Sequence, residues 1–169
     1  MNGARKPRFT FFWQEQSPFS QWHRSAFEVD GVRYACAEQY MMAGKARLFG
    51  DAEVLARILE SNSPRAHKAL GRKVRHFDAA RWEQAREQIV YEGNRAKFTQ
   101  NPTLLKALLA TAGTELVEAS PLDRIWGVGL SEDDPRIRNP ARWRGLNLLG
   151  KVLTRLREDL LAGGAAQKS

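Results

Sequence analysis

The stretch HFDAARWEQAREQIVYEGNRAKFTQ, residues 76–100, decides the class of fold. Asp78 is placed as an N-cap, with Phe77 and Trp82 in the positions of a hydrophobic staple. A long helix should follow, and on it Asn94 and Lys97 lie one turn apart. Similar signals surround it. In GDAEVLARILES, Asp51 is the candidate cap, and Val54, Leu55, Ile58 and Leu59 fall on one stripe. NSPRAHKALG reads as a Ser63 cap, Pro64 at the first helical position and Gly71 as the stop. Asn101 and Pro102 start TLLKALLAT, which Gly113 ends. Leu149, Val152, Leu153, Leu156 and Leu160 make the segment from Leu146 to Leu161 an amphipathic helix.

Strand signals are short by comparison. RFTFFW near the start, FEV and VRYA around Asp30-Gly31, and TELVEA are the best candidates, the Asp30-Gly31 pair being a hairpin signal. Ser120 to Gly145 holds Pro121, Pro135, Pro140 and several glycines, so it should be loop, and a loop of that length is usually functional. The expected class is α+β, predominantly α-helical: one compact domain with a few short antiparallel strands. It should span residues 9–161, between an N-terminal tail at 1–8 and a flexible C-terminal tail at 162–169, where GGAAQKS looks disordered.

Composition narrows the partners. The chain has 169 residues, with 27 Lys plus Arg against 19 Asp plus Glu, a formal charge of +8 that favours an anionic partner. Cys36 is the single cysteine, so no intrachain disulfide can form, and a reducing, cytoplasmic setting is expected. His23, His67 and His76 have no metal-ligand spacing, so neither metal nor other cofactor is expected. FTFFW is too short for a signal-peptide apolar region, and LLKALLA is interrupted by Lys106, so no membrane span is expected.

Two stretches carry candidate chemistry. In CAEQYMMAGKA, residues 36–46, Glu38 and Lys45 differ by about 700° at roughly 100° per residue, which puts them on one helix face two turns apart. They are either an exposed or partly buried ion pair, or a site. Their neighbours Tyr40, Met41, Met42, Ala43 and Ala46 are mostly apolar, and a charge there is costly unless paired or used. Desolvation raises a carboxyl pKa and lowers a lysine's, which suits one to general acid–base work and the other to attack on a carbonyl carbon. In EASPLDRIWGVG, residues 118–129, Asp123 and Trp126 follow Glu118 across a proline-initiated turn. Gly127 and Gly129 would permit close approach to a ligand, and Trp126 could stack on a base. The alternative is a loop pinned by tryptophan, with acids capping turns. Arg72, Lys73 and Arg75, and Arg136, Arg138, Arg142 and Arg144, are either phosphate clamps or solvated surface. Cys36 as a nucleophile is disfavoured, because no histidine accompanies it in a local signature.

In this order, SPFSQW, FEVDGVRYACAEQYMMAGKA, LGRKVRHFDAARW, GNRAKFTQN, LVEASPLDRIWGVGL and WRGLNLLGKVLTRLRE resemble the NADAR family, which includes the bacterial YbiA-type N-glycosidases. The resemblance covers roughly residues 9–161. It implies a mainly helical α+β domain that cleaves N-glycosidic bonds of ribosylated substrates. Two substrate classes come with it: ADP-ribose on guanine in nucleic acid, and phosphoribosylamino-pyrimidine intermediates of riboflavin synthesis. For members paired with a toxin, it implies an ADP-ribosyltransferase as partner. It carries a catalytic role onto Glu38 and active-site roles onto Lys45, Trp82, Asp123 and Trp126. Lys97 and Asn147 match further recurrent positions. Beside these, Glu118 and Gly127 are candidate substrate contacts from the loop reading. Gln21 and Trp22 stand where many members carry Asn and Phe, which leaves the subfamily open. A non-catalytic module for ADP-ribose or NAD is the alternative from another class.

Overall fold

Chain order in the computed structural model, which describes residues 8–166, opens with three strands, β1 (Phe9–Phe12), β2 (Phe27–Val29) and β3 (Val32–Tyr34). Helices α1 (Ala37–Leu48), α2 (Ala52–Glu60), α3 (Pro64–Gly71), α4 (Ala79–Gln100) and α5 (Pro102–Leu109) follow. Strand β4 (Glu115–Glu118), two 3-10 turns (Pro135–Arg138 and Pro140–Arg142) and α6 (Leu148–Ala166) complete the order. These residues form two compact units: Gln14–Leu105, and the segment up to Trp13 together with the chain from Lys106 onward.

In the Gln14–Leu105 unit, α1 packs against α2, α3 and α4. Each helix start has a local cause. Asp51, Ser63 and Asp78 accept N–H bonds from Val54, Ala66 and Arg81, the caps expected for α2, α3 and α4. Helix α1 is buried over most of its surface, with Ala43 and Ala46 inaccessible. Its crossing with α4 is close because Gly93 faces the Tyr40 ring, where an added Cβ would lie 2.5 Å from a ring carbon. Asp30 and Gly31 take positive φ (52° and 77°) and turn β2 onto β3 as the antiparallel hairpin expected from that dipeptide. The far end of α4 is stitched to this hairpin: the Gln100 amide accepts from the Glu28 N–H and donates to the Glu28 carbonyl, both at 2.8 Å.

In the other unit, Val117, Ala119, Val128, Leu130 and Ile137 make a core closed by Phe9, Phe11 and Trp143. Here the strand pairing departs from expectation. β1 and β4 are parallel, not antiparallel, with Phe11 opposite Val117. These strands come from distant parts of the chain, so no short turn dictated their direction. The long connection is loop as expected, relieved only by the two 3-10 turns. Helix α6 runs past Leu161 through Gly163 and Gly164 to Ala166, so those residues are not the disordered tail expected of them. Residues 1–7 and 167–169, which belong to the expected tails, lie outside the described residues.

Candidate active site

Helix α1 brings the two charges singled out in the sequence into a low-dielectric setting. Glu38, in its first turn, is 5% exposed, and its backbone N–H donates to the Gln21 carbonyl at 2.9 Å. Lys45, in the last turn, is half-buried. Its Nζ stands 4.7 Å from the centre of the Phe77 ring and 5.7 Å from that of Trp82. The pair placed as a staple thus also forms two walls around the amine, a cation–π arrangement. Burial lowers the Lys45 pKa, the neighbouring Arg72 lowers it further, and Glu38 pulls it back up. Lys45 is therefore felt by both charges, and Glu38 belongs to its electrostatic surroundings.

Lys97 and Asn94, one turn apart on α4, are fully buried. Lys97 Nζ donates to the Ser20 carbonyl at 3.0 Å, and burial pushes its pKa down to about 7. Asn94 Nδ2 donates to Gln21 Oε1 at 2.9 Å and to the Val90 carbonyl at 2.8 Å. The partner atoms Asn94 Oδ1 and Gln21 Nε2 are buried with no hydrogen-bond partner.

The structure also joins two residues that the sequence kept apart. His67 Nδ1 lies 3.6 Å from Cys36 Sγ, and His67 Nε2 lies 2.6 Å from the Ser61 carbonyl. With Nε2–H donating to that carbonyl, Nδ1 is left to accept from the thiol. Burial raises the Cys36 pKa and lowers that of His67, so thiol and neutral imidazole are the stable forms. This pair is a buried contact, not an activated nucleophile.

Asp123 Oδ1 accepts the N–H groups of Ile125 and Trp126, both at 2.9 Å, which closes a turn. Gly127 does permit close approach, but by the chain itself: a Cβ there would meet the carbonyls of Asp123 and Glu118 at 3.0 Å. Asn147 takes positive φ (53°) and ties β4 to the start of α6. Its Oδ1 accepts from the Glu118 N–H at 3.0 Å and its Nδ2 donates to the Leu116 carbonyl at 3.1 Å. Trp126 is half-buried, and its carbonyl accepts from the Leu149 N–H. Two of the arginines expected to clamp phosphate are engaged with carboxylates, Arg75 with Asp51 and Arg136 with Asp134. Arg72, Lys73, Arg138, Arg142 and Arg144 are exposed.

A cleft of about 760 Å³ opens on the other side of α1, bounded by Tyr34, Tyr40, Arg47, Ile89 and Glu92. It holds none of the expected site residues. Four of its polar side chains pair with each other: Tyr40 donates to Glu92 at 3.3 Å and Arg47 to the Tyr34 hydroxyl at 2.8 Å. Among the described residues no group of three or more His, Cys, Asp or Glu side chains could hold a metal ion, and no helix is long and apolar enough to cross a membrane.

Known proteins are similar to this chain. The chain is 47% identical over 146 residues to N-glycosidase R617 of Acanthamoeba polyphaga mimivirus, covering 83% of this chain and 86% of that protein. It is 33% identical over 144 residues to N-glycosidase YbiA of Escherichia coli, covering 85% and 79%. The NMR structure of that E. coli protein superposes with a TM-score of 0.77 at 30% identity, over 94% of this chain and 88% of the other. A chloroplastic riboflavin biosynthesis protein of Zea mays, PYRR, is 39% identical over 80 residues, 47% of this chain and 11% of that protein. The NADAR domain matches residues 11–161, and the chain belongs to this family, which includes N-glycosidases.

Proposed function

We propose that this protein is a hydrolase that cleaves N-glycosidic bonds of ribosylated substrates, and that its substrate is ADP-ribose attached to guanine in nucleic acid. The observation that carries this reading is the half-buried Lys45 amine, on the same helix as the buried Glu38 and under two aromatic rings. Its lowered pKa gives it a larger neutral fraction than an exposed lysine has, and the neutral amine is the nucleophile.

Breaking an N-glycosidic bond develops positive charge at the anomeric carbon and negative charge on the leaving nitrogen. A ribosylamine can ring-open to an imine at that carbon. Lys45 Nζ then adds to it, the base departs as an amine carrying the transferred proton, and a Schiff base joins lysine and sugar. Water adds to this imine, the carbon–Nζ bond breaks, and the sugar leaves as an aldehyde with Lys45 restored. Glu38 is assigned the proton transfers of both halves. Trp82 and Phe77 offer ring faces for the base. Within their own unit, Asp123 and Trp126 form a turn and Glu118 ends strand β4.

The net charge of +8 and the proximity of Arg72 to Lys45 favour a substrate with a phosphate chain. A second reading, N-glycosidase action on phosphoribosylamino-pyrimidine intermediates of riboflavin synthesis, is favoured by the match to the maize riboflavin protein. One assay separates the two. Wild type, Glu38→Gln and Lys45→Ala are each incubated with a guanine-ADP-ribosylated oligonucleotide, where released ADP-ribose is measured, and with the pyrimidine intermediates, where released pyrimidine is measured. Release from the oligonucleotide by wild type alone is expected. Borohydride should trap a wild-type adduct that is missing in Lys45→Ala. A fully active Lys45→Ala would sink the Schiff-base step, and no release from either substrate would sink the glycosidase reading.

A further inference from the structure

The segment that precedes the β2–β3 hairpin does more than connect. Its Gln21 carbonyl accepts the Glu38 N–H at 2.9 Å, so it holds the first turn of α1. That first turn has no side-chain cap of its own, because the N-cap residue is Cys36 and its side chain makes no capping bond. The Ser20–Gln21 pair is in turn held from behind by α4. Lys97 donates to the Ser20 carbonyl, and Asn94 donates to the Gln21 side chain. All three side chains are at least nine-tenths buried, at 0% exposure for Asn94 and Lys97 and 7% for Gln21. Apolar residues would fill this space at lower cost, since a buried ammonium with one carbonyl partner is an expensive way to pack a helix. Such groups persist where geometry matters to function.

We infer that Asn94 and Lys97 are positioning residues that set the placement of Glu38 through the Ser20–Gln21 segment, one link removed from the chemistry. The inference rests on the reading of Glu38 as the catalytic carboxylate. It places a functional demand on α4 that does not require Lys97 to touch substrate. It also accounts for a polar pair, Gln21 and Asn94, that no catalytic step uses.

The test uses the full chain with Lys97→Met, which keeps the length and removes the donor, and Asn94→Ala. Two measurements are made. Amide hydrogen exchange should show faster exchange at Glu38 and its neighbours in the first turn of α1, roughly tenfold or more, while α2 is unchanged. On the substrate that wild type hydrolyses, kcat should fall on the order of tenfold, with KM within about twofold and Lys97→Met no less heat-stable than wild type. A purely structural role would move stability and leave kcat per folded molecule alone. A loss of kcat/KM that comes only from a rise in KM, with kcat unchanged, would instead make Lys97 a substrate contact and overturn the inference. Unchanged exchange at Glu38 in both variants overturns it too, whether or not the wild type proves to be a glycosidase. Inactivity of the wild type on every substrate counts against the proposed function alone, since the exchange result stands by itself.

Discussion

At the scale of the residue, the half-buried Lys45 and the fully buried Lys97 are held in different ways. Lys45 keeps aromatic faces, a carboxylate and a cation around it, and reaches solvent. Lys97 is sealed, with the Ser20 carbonyl as acceptor and the Cys36 thiol as the facing titratable group. A pKa near 7 in the folded state against an ordinary value of about 10.4 unfolded means the unfolded chain binds more protons between those two values. Stability contributed by this group therefore rises as pH rises from about 7 towards 10, and the cost is fully present below 7. Lys97→Met should remove that dependence. Melting temperature measured from pH 6 to 10 should rise for wild type relative to the variant, by an amount on the order of a few kcal/mol in stability. Parallel curves for the two proteins would show that the ammonium is not buried in solution. The same variant is expected to be slower, so stability and turnover should part company at this position.

At the scale of the element, α1 and α4 are held together by glycine as much as by side chains. Gly93→Ala puts two effects in opposition. Helix propensity favours alanine by about 1 kcal/mol in a helix interior. The new methyl would stand 2.5 Å from the Tyr40 ring, and overpacking of this kind costs about 1–3 kcal/mol. Overpacking should win, and chemical denaturation should place the variant below wild type; a more stable variant would mean the crossing yields easily. What sequence could foresee follows the same line. The caps at Asp51, Ser63 and Asp78 and the Asp30-Gly31 turn were legible, because each is decided within four residues. The parallel direction of β1 and β4 was not, since it depends on pairing across the chain. That Glu38 and Lys45 share a helix was legible from their spacing, and α1 carries both. Ser20 and Gln21 were missed as functional because their role lies in a carbonyl and an amide that meet α4 only in the fold. Gly127 and Asn147 show the limit from the other side. A G-x-G in a loop and an Asn before a helix read equally as ligand contacts or chain contacts, and here the chain fills the space beside Gly127 and takes both ends of the Asn147 amide.

At the scale of the whole molecule, the question is which substrate a charge of +8 serves. Carboxylates already hold Arg75 and Arg136, so the surplus is expressed by exposed cations such as Arg72, Lys73, Arg138, Arg142 and Arg144. Nucleic acid and small phosphoribosyl compounds make different demands on them. A protein that neutralises phosphates along a strand releases counterions, and the logarithm of its affinity falls linearly with the logarithm of salt, by about 0.7 per phosphate for single strands. Two or three such contacts correspond to roughly a tenfold weakening between about 50 and 200 mM salt. A small monoester has no condensed counterion layer to release, so its binding should weaken far less. KM for an ADP-ribosylated oligonucleotide should therefore rise about tenfold over that range, and kcat should hold. Replacing Arg72 and Lys73 together with alanine should flatten the slope by up to about two contacts' worth, while KM for the pyrimidine intermediate stays within about twofold. If the oligonucleotide KM instead proves insensitive to salt, the basic surface is not a strand-binding surface. The riboflavin intermediates would then become the better account of what this protein cleaves.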